Sequence, residues 1–320
     1  IKRLKKYLIA EKIDAYIIPK NDEFFGEYTA DYNDRLNYIS NFSGSYGFSI
    51  ILKNTNYLFV DGRYTLQAYK QSGKVFKIVT FPSKMPKDVF RNRKILIGFD
   101  PKLFTRKTLN TFFKKKNIKF KPIKTNLIDK IWKRKIKRNK EKFYKLPNYS
   151  IDYGYQTKIN KILINLKKEN ADFQFISSSE NNAWLLNIRG KDTKYSPIPY
   201  CYVLIDKKKN IKLFCDLKKI PNYFKKYFKN IQFLDLDSTS KIISKIKKKK
   251  FIIDKNTCSF YFEDLILKNN KILNLHDPIY AFKAIKSKKE IKNIKIAHIL
   301  DGVALTKYLF WVKKNFYKKK

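Results

Sequence analysis

The strongest constraint on the fold is a strand-hairpin pattern that occurs twice. The first copy lies between Tyr38 and Tyr69. Ser43–Gly47 (SGSYG) carries two glycines and two serines, a turn signal. Phe48–Leu52 is an apolar run of strand length, LKNTN is polar and turn-prone, and Tyr57–Val60 is a second apolar run. That run ends on Asp61-Gly62-Arg63, and the chain turns helical over Tyr64–Tyr69. The looser copy is CYVLIDKKKNIKLFCD, with its turn at Asp206–Asn210 and its second strand ending on Asp216. Each hairpin follows the same prelude of helix, acid, aromatic and apolar strand: LKKYLIAEKI with DAYIIPK, then Thr157–Asn170 with NADFQFISS. The pattern predicts an internal duplication: two tandem α/β domains with mixed β-sheets flanked by helices.

Length agrees with two domains, since 320 residues exceed one ordinary core. Further strands are expected at Val75–Phe81, Ile95–Phe99 and Phe120–Ile123, then at Ile231–Leu236, Phe251–Asp254 and Ile272–Leu275. Residues 20–37, polar, aromatic and acidic, suit a surface loop that reaches a site. The basic run from Asp129 to Lys145 reads as a solvated helix and linker. Pro147 and Gly154 mark a boundary, which gives domains at 1–147 and 148–278. Beyond Asp277-Pro278 a long amphipathic helix begins. Ser287 and Glu290 form a capping box, and Ile291, Ile294, Ala297, His298, Asp301, Leu305, Tyr308 and Leu309 lie close to one face. It reads as the start of a third domain at 279–320. The chain opens on Ile1 and its one Met is Met85, so its native start is expected upstream.

Composition decides among classes of function. No stretch approaches the roughly 20 apolar residues of a membrane span. Glu11, Lys12 and Asp14 interrupt the apolar start, which excludes a signal peptide. The net charge of +45 suggests a polyanion partner, yet only nine of the 72 basic residues are Arg. Nucleic-acid sites exploit the planar guanidinium. A Lys-, Asn- and Ile-rich composition of this kind follows from an AT-rich genome, so no specific nucleic acid is expected. Cys201, Cys215 and Cys258 show no CxxC spacing and read as buried thiols in a reducing, cytoplasmic setting. His276 and His298 are too far apart for a zinc pair.

Three stretches go beyond a generic α/β pattern. DAYIIPKNDEFFGEYTADYNDRLNYISNFSGSYGFSIIL with LFVDGRYTLQA resembles the first domain of the cytosolic-type X-Pro aminopeptidases. These are creatinase-like metallopeptidases of the M24 family. SENNAWLLNIRGKDTKYSPIPYCYVLI resembles their second domain, and DPIYAFKAIKSKKEIKNIKIAHILDGVALTKYLFWVKK the lead into their pita-bread catalytic domain.

The resemblance implies two creatinase-N-like domains ahead of a truncated pita-bread domain. It implies removal of an N-terminal residue preceding proline by a centre of two divalent metal ions, typically manganese. Its ligands, two Asp, one His and two Glu, belong to the catalytic domain beyond its first helix. His298 and Asp301 match no ligand position, so no catalytic residue, metal or cofactor is assigned to this chain, which is expected to be inactive alone. The partners implied are short peptides with proline second, and a homodimer formed mainly through the catalytic domain. The N-terminal domains would cover the cleft, place substrate and assist assembly. Asp34, Arg35, Asp61 and Arg63 are candidates for the rim of that cleft, where a guanidinium meets a peptide carboxylate bidentately. A structural Asp/Arg pair at the hairpin end is the competing reading, and Trp184 and Arg189 stand in the same position. Two alternatives stay open for the chain. One is a noncatalytic module docking a separate chain through Leu305 and Leu309; the other is a basic nucleic-acid-binding protein.

Overall fold

A computed structural model describes residues 1–90, 93–136 and 138–316. The first unit opens with α1 (Lys2–Ala10) and β1 (Ala15–Pro19). It continues through α2 (Arg35–Ser40), the hairpin β2 (Gly47–Leu52) and β3 (Asn56–Asp61), α3 (Thr65–Ser72), β4 (Lys77–Phe81), β5 (Ile95–Phe99), α4 (Arg106–Phe113) and β6 (Ile118–Pro122). The second contains β7 (Tyr144–Lys145), α5 (Tyr155–Lys168), β8 (Phe173–Ile176), α6 (Ser179–Leu186) and β9 (Ile188–Arg189). Its hairpin is β10 (Cys201–Asp206) and β11 (Ile211–Cys215). Then come α7 (Asn222–Tyr227), β12 (Ile231–Asp235), α8 (Ser238–Lys245), β13 (Lys250–Ile253), α9 (Phe260–Leu267), β14 (Lys271–Asn274) and α10 (Ile279–Ala284). The long α11 (Lys288–Phe316) follows.

The two sheets match strand for strand. The first has the order β4-β3-β2-β1-β5-β6 and the second β12-β11-β10-β8-β13-β14. In the first, β1–β2 and β2–β3 are antiparallel, while β1–β5, β5–β6 and β3–β4 are parallel. The second repeats those senses at every equivalent pair. The reason is visible in β1, whose apolar run is buried on both faces. Tyr16 and Ile18 join one core cluster, Ala15 and Ile17 the other. A strand buried on both sides must sit mid-sheet beneath helices. Each fully buried isoleucine among them contributes about 1.5–3 kcal/mol.

Gly47 was expected in a turn but opens β2. A Cβ there would lie 2.7 Å from the Phe59 carbonyl oxygen, so the close approach of β3 requires glycine. The loop at 20–37 contains the first turn of α2, because the Asp34 carboxylate accepts the Asn37 N–H at 3.0 Å and starts a helix there. The basic run 129–145 is not helical among its described residues; Lys137 lies outside them. Asp129 and Glu141 are its only acids, so i,i+4 pairing cannot support a helix. Side-chain ties to the first domain draw it out instead, into the β7–β9 pair. All three cysteines are free and buried, and burial pushes the Cys215 thiol up to about 12.

Helix α11 starts on the expected box: the Ser287 N–H donates to Glu290 Oε2 at 2.7 Å, and the Glu290 N–H to Ser287 Oγ at 3.3 Å. None of its residues is buried. Residues 317–320 lie outside the described chain.

Candidate functional site

Register brings the ends of β1 and β3 to one end of the first sheet, and the Lys20–Asp34 pair holds the start of α2 near the first of them. Pro19 pairs with Phe48 and Gly47 with Val60, so β1 and β3 finish at the same end of the sheet with β2 between them. At about 4.8 Å per strand the two ends are about 10 Å apart. Asp34 and Arg35 follow the β1 end; Asp61 and Arg63 lie at the β3 end. Among the described residues no hydrogen bond joins the two pairs.

Arg35 is 3% exposed; its Nε and Nη2 are engaged, while Nη1 is buried without a hydrogen-bond partner. Nε and Nη2 fork onto the Asp129 carboxylate at 2.9 and 3.0 Å, and Nη2 also reaches Glu23 at 2.7 Å. Arg134 adds a second guanidinium to Asp129 at 2.5 Å and donates to the Tyr32 carbonyl at 2.7 Å. Burial would raise the Asp129 carboxyl; the two guanidinium groups outweigh it and hold it below its ordinary value. Asp34 pairs with Lys20 and caps α2. These residues fasten the 20–37 loop to the start of the linker, a tie with a sequence separation of 94.

Asp61 and Arg63 are differently placed. Arg63 Nη2 meets Asp61 Oδ2 at 2.7 Å, and the Arg63 side chain is 73% exposed. The hydrogen bond from Arg63 lowers the Asp61 carboxyl. This pair can turn outward toward an anionic group, whereas Arg35 cannot without breaking three bonds.

The 20–37 loop also forms the seam with the second domain, which the sequence did not indicate. Asp22, 1% exposed, accepts the Tyr200 hydroxyl at 2.6 Å, the Phe24 N–H at 3.0 Å and Asn33 at 3.3 Å. Burial pushes its carboxyl up to about 6. Phe24 stacks on Tyr200 and Tyr202 with centroids 4.1 and 5.1 Å apart. Further along, Arg106 meets Glu263 at 3.1 Å and covers Phe260 at 4.3 Å, and the Phe260 N–H donates to the Phe104 carbonyl at 2.7 Å. A cavity of about 220 Å³ lies in this seam, lined by Tyr32, Lys102, Tyr200, Asp237 and Tyr261 among others.

Trp184 is half-buried and packs against the core of the second domain, with the Lys158 amine 4.0 Å from its ring centroid. Arg189 donates to the carbonyls of Ala183 and Ile188. Lys158 was missed, although a lysine inside the buried stripe of Tyr155, Ile159, Ile162 and Leu166 is itself a signal.

Asp301 and His298 lie exposed on α11. Among the described residues no group of three or more His, Cys, Asp or Glu could hold a metal ion. The described residues thus do not fit a two-metal centre. Among them no helix is long and apolar enough to cross a membrane.

Comparison with known proteins places this geometry in a family. Two family models, each for the creatinase/prolidase N-terminal domain, match residues 1–131 and 134–290. The Xaa-Pro aminopeptidase 1 of Dictyostelium discoideum is 30% identical over 100% of this chain and 54% of its own length. Xaa-Pro aminopeptidase ApepP of Drosophila melanogaster is 31% identical over 96% of the chain and 52% of its own. The crystal structure of X-prolyl aminopeptidase from Caenorhabditis elegans, a cytosolic enzyme with a di-nuclear active site, superposes with a TM-score of 0.89. It covers 100% of this chain and 56% of that one, at 24% identity. The chain spans about half the length of the curated relatives it matches. Two creatinase/prolidase N-terminal domains in tandem, alike in strand order and in sequence family, make this chain a member of that family and a relative of the M24 Xaa-Pro aminopeptidases along its whole length.

Proposed function

We propose that this chain serves an X-Pro aminopeptidase, an activity that removes the N-terminal residue preceding proline with two metal ions, manganese by preference. Similarity to Xaa-Pro aminopeptidases over the full chain is the observation that carries this reading. The two domains, with boundaries near residues 147 and 278, cover the cleft and restrict it to short peptides with proline second. Asp61 and Arg63 form the exposed part of the rim, where Arg63 meets a peptide carboxylate; Asp34 and Arg35 hold the loop that supports it. The metal ligands belong to sequence beyond α11, so the 320 residues alone are inactive. The protein acts in the cytoplasm and pairs as a homodimer mainly through its catalytic part.

The test uses the endogenous polypeptide, captured by an antibody against residues 288–316. It should release alanine from an Ala-Pro-Gly peptide when manganese is supplied and stop when a chelator is added. No such release would overturn the reading. The recombinant 320-residue chain should release none under the same conditions, and chelator-sensitive cleavage by it would disprove the assignment of the ligands elsewhere. A second reading, a noncatalytic module that docks a separate chain, is favoured by the exposure of Leu305 (57%) and Leu309 (56%) on α11.

A further inference from the structure

A hollow of about 140 Å³ opens at the root of α11, between Tyr153, Trp184, Phe282 and the Ser287–Glu290 turn. Lys158 and Lys161, one turn apart on α5, both line it. Lys158 is 7% exposed. Its amine donates to the Trp184 carbonyl at 2.8 Å and to Asn187 Oδ1 at 2.5 Å. Those bonds use two of its three N–H donors and bring no negative charge. The charge of Glu290 on the rim favours the Lys158 cation and that of Arg189 opposes it; Arg189 itself donates to carbonyls. Among the described residues Lys161 meets the rings of Tyr153 and Phe282, at 5.7 and 5.4 Å.

The two carboxylates on the rim are engaged elsewhere. Asp152 accepts the Lys289 N–H at 2.8 Å, and Glu290 accepts the Ser287 N–H at 2.7 Å. Among the described residues neither approaches Lys158, Lys161 or Arg189 to within the 4.0 Å of an ion pair. A buried cation without a counter-ion in contact is costly, and burial lowers the Lys158 amine to about 8 although the charge of Glu290 opposes that shift.

We propose that this hollow is a binding site for a small oxyanion, a carboxylate or a phosphate, held by the Lys158 and Lys161 amines beside Trp184. The anion competes with the Trp184 face for the third N–H of Lys158 and supplies a negative charge in direct contact with it. Because one wall is the capping turn of α11, an occupied site ties α5 and α6 to the base of that helix. This proposal is independent of the peptidase reading.

Trp184 is the reporter. In the full chain carrying Trp132→Phe and Trp311→Phe, sodium phosphate and sodium acetate are titrated separately at pH 7, with ionic strength held constant by chloride. A saturable fluorescence change is expected, with half-saturation in the range of about 1–10 mM, as suits two amines and no more than a few bonds. Lys158→Met and Lys161→Met should each raise the half-saturation about tenfold, one such bond being worth about 1.4 kcal/mol. Lys161 is exposed, so its variant tests the site even where Lys158→Met does not fold. Saturation by phosphate alone assigns a phosphate-bearing ligand, and saturation by acetate alone a carboxylate. A change that never saturates, or that is the same in Lys161→Met, would overturn the proposal and reduce the effect to diffuse attraction by a chain of charge +45.

Discussion

Replacing Arg35 with alanine separates a supporting role from a peptide-binding one. The side chain makes three charge-assisted contacts at 2.7, 2.9 and 3.0 Å and is 4% exposed. Its loss leaves Glu23 without its partner and Asp129 with Arg134 alone. Removing one member of a fully buried ion pair costs about 3–5 kcal/mol. Here the two carboxylates are 25% and 28% exposed and recover part of their hydration. The expected loss is therefore smaller, about 2–3 kcal/mol. In a domain of this size that lowers the unfolding midpoint by about 4–12 °C. Trp132, stacked on Tyr38 at 4.9 Å, reports the first domain in urea titrations. Arg35→Lys should recover less than half of the loss, because an ammonium cannot reproduce the fork. A change of less than about 0.5 kcal/mol in Arg35→Ala would refute the argument, since that is the range of ordinary surface substitutions.

Four other outcomes follow from the same geometry. Tyr200→Phe removes the hydroxyl donated to buried Asp22 and should cost about 1–3 kcal/mol, read as earlier thermal unfolding. Gly47→Ala puts a methyl 2.7 Å from the Phe59 carbonyl and should cost about 1–3 kcal/mol in urea, whereas an unchanged midpoint would mean the strands separate easily. Burial raises the carboxyls of Asp22, Asp100 and Asp277 to about 6. The folded state then holds more protons than the unfolded one between about pH 4 and 6, so stability should rise as pH falls from 7.5 to 5. A flat or falling urea midpoint over that range would contradict it. Leu305→Asp with Leu309→Asp should leave the unfolding midpoint in urea unchanged, because both side chains are more than half exposed, and a loss above about 0.5 kcal/mol would contradict that.

Local sequence carried most of the architecture. Apolar runs of strand length, punctuated by polar turns, determined both hairpins, and Ile95–Phe99 forms β5 over the residues expected. The repeated prelude of helix, acid and strand determined the duplication, because strand order follows where apolar runs must be covered on both faces. The Ser287–Glu290 box determined the start of α11, since a cap is a contact between residues three apart. Short helices such as α2 and α9 were not legible. The α9 run FYFEDLIL has no clean periodicity, and packing of both faces decides it.

The candidate sites depended on tertiary structure for the same reason of range. Asp61 and Arg63 are two residues apart, and their pairing was legible at the hairpin end. Arg35 was legible as a charged residue near a site, but its partner Asp129 lies 94 positions away, so only the folded chain showed Nε and Nη2 engaged there. The Asp22–Tyr200 bond joins positions 178 apart, and no local pattern announces it. Lys158 looked like one of many lysines in a basic chain; burial against Trp184, with no carboxylate in ion-pair contact among the described residues, made it distinct. Periodicity and capping act over a few residues and are written in order along the chain. Desolvation and charge pairing depend on which distant segments the sheets bring together.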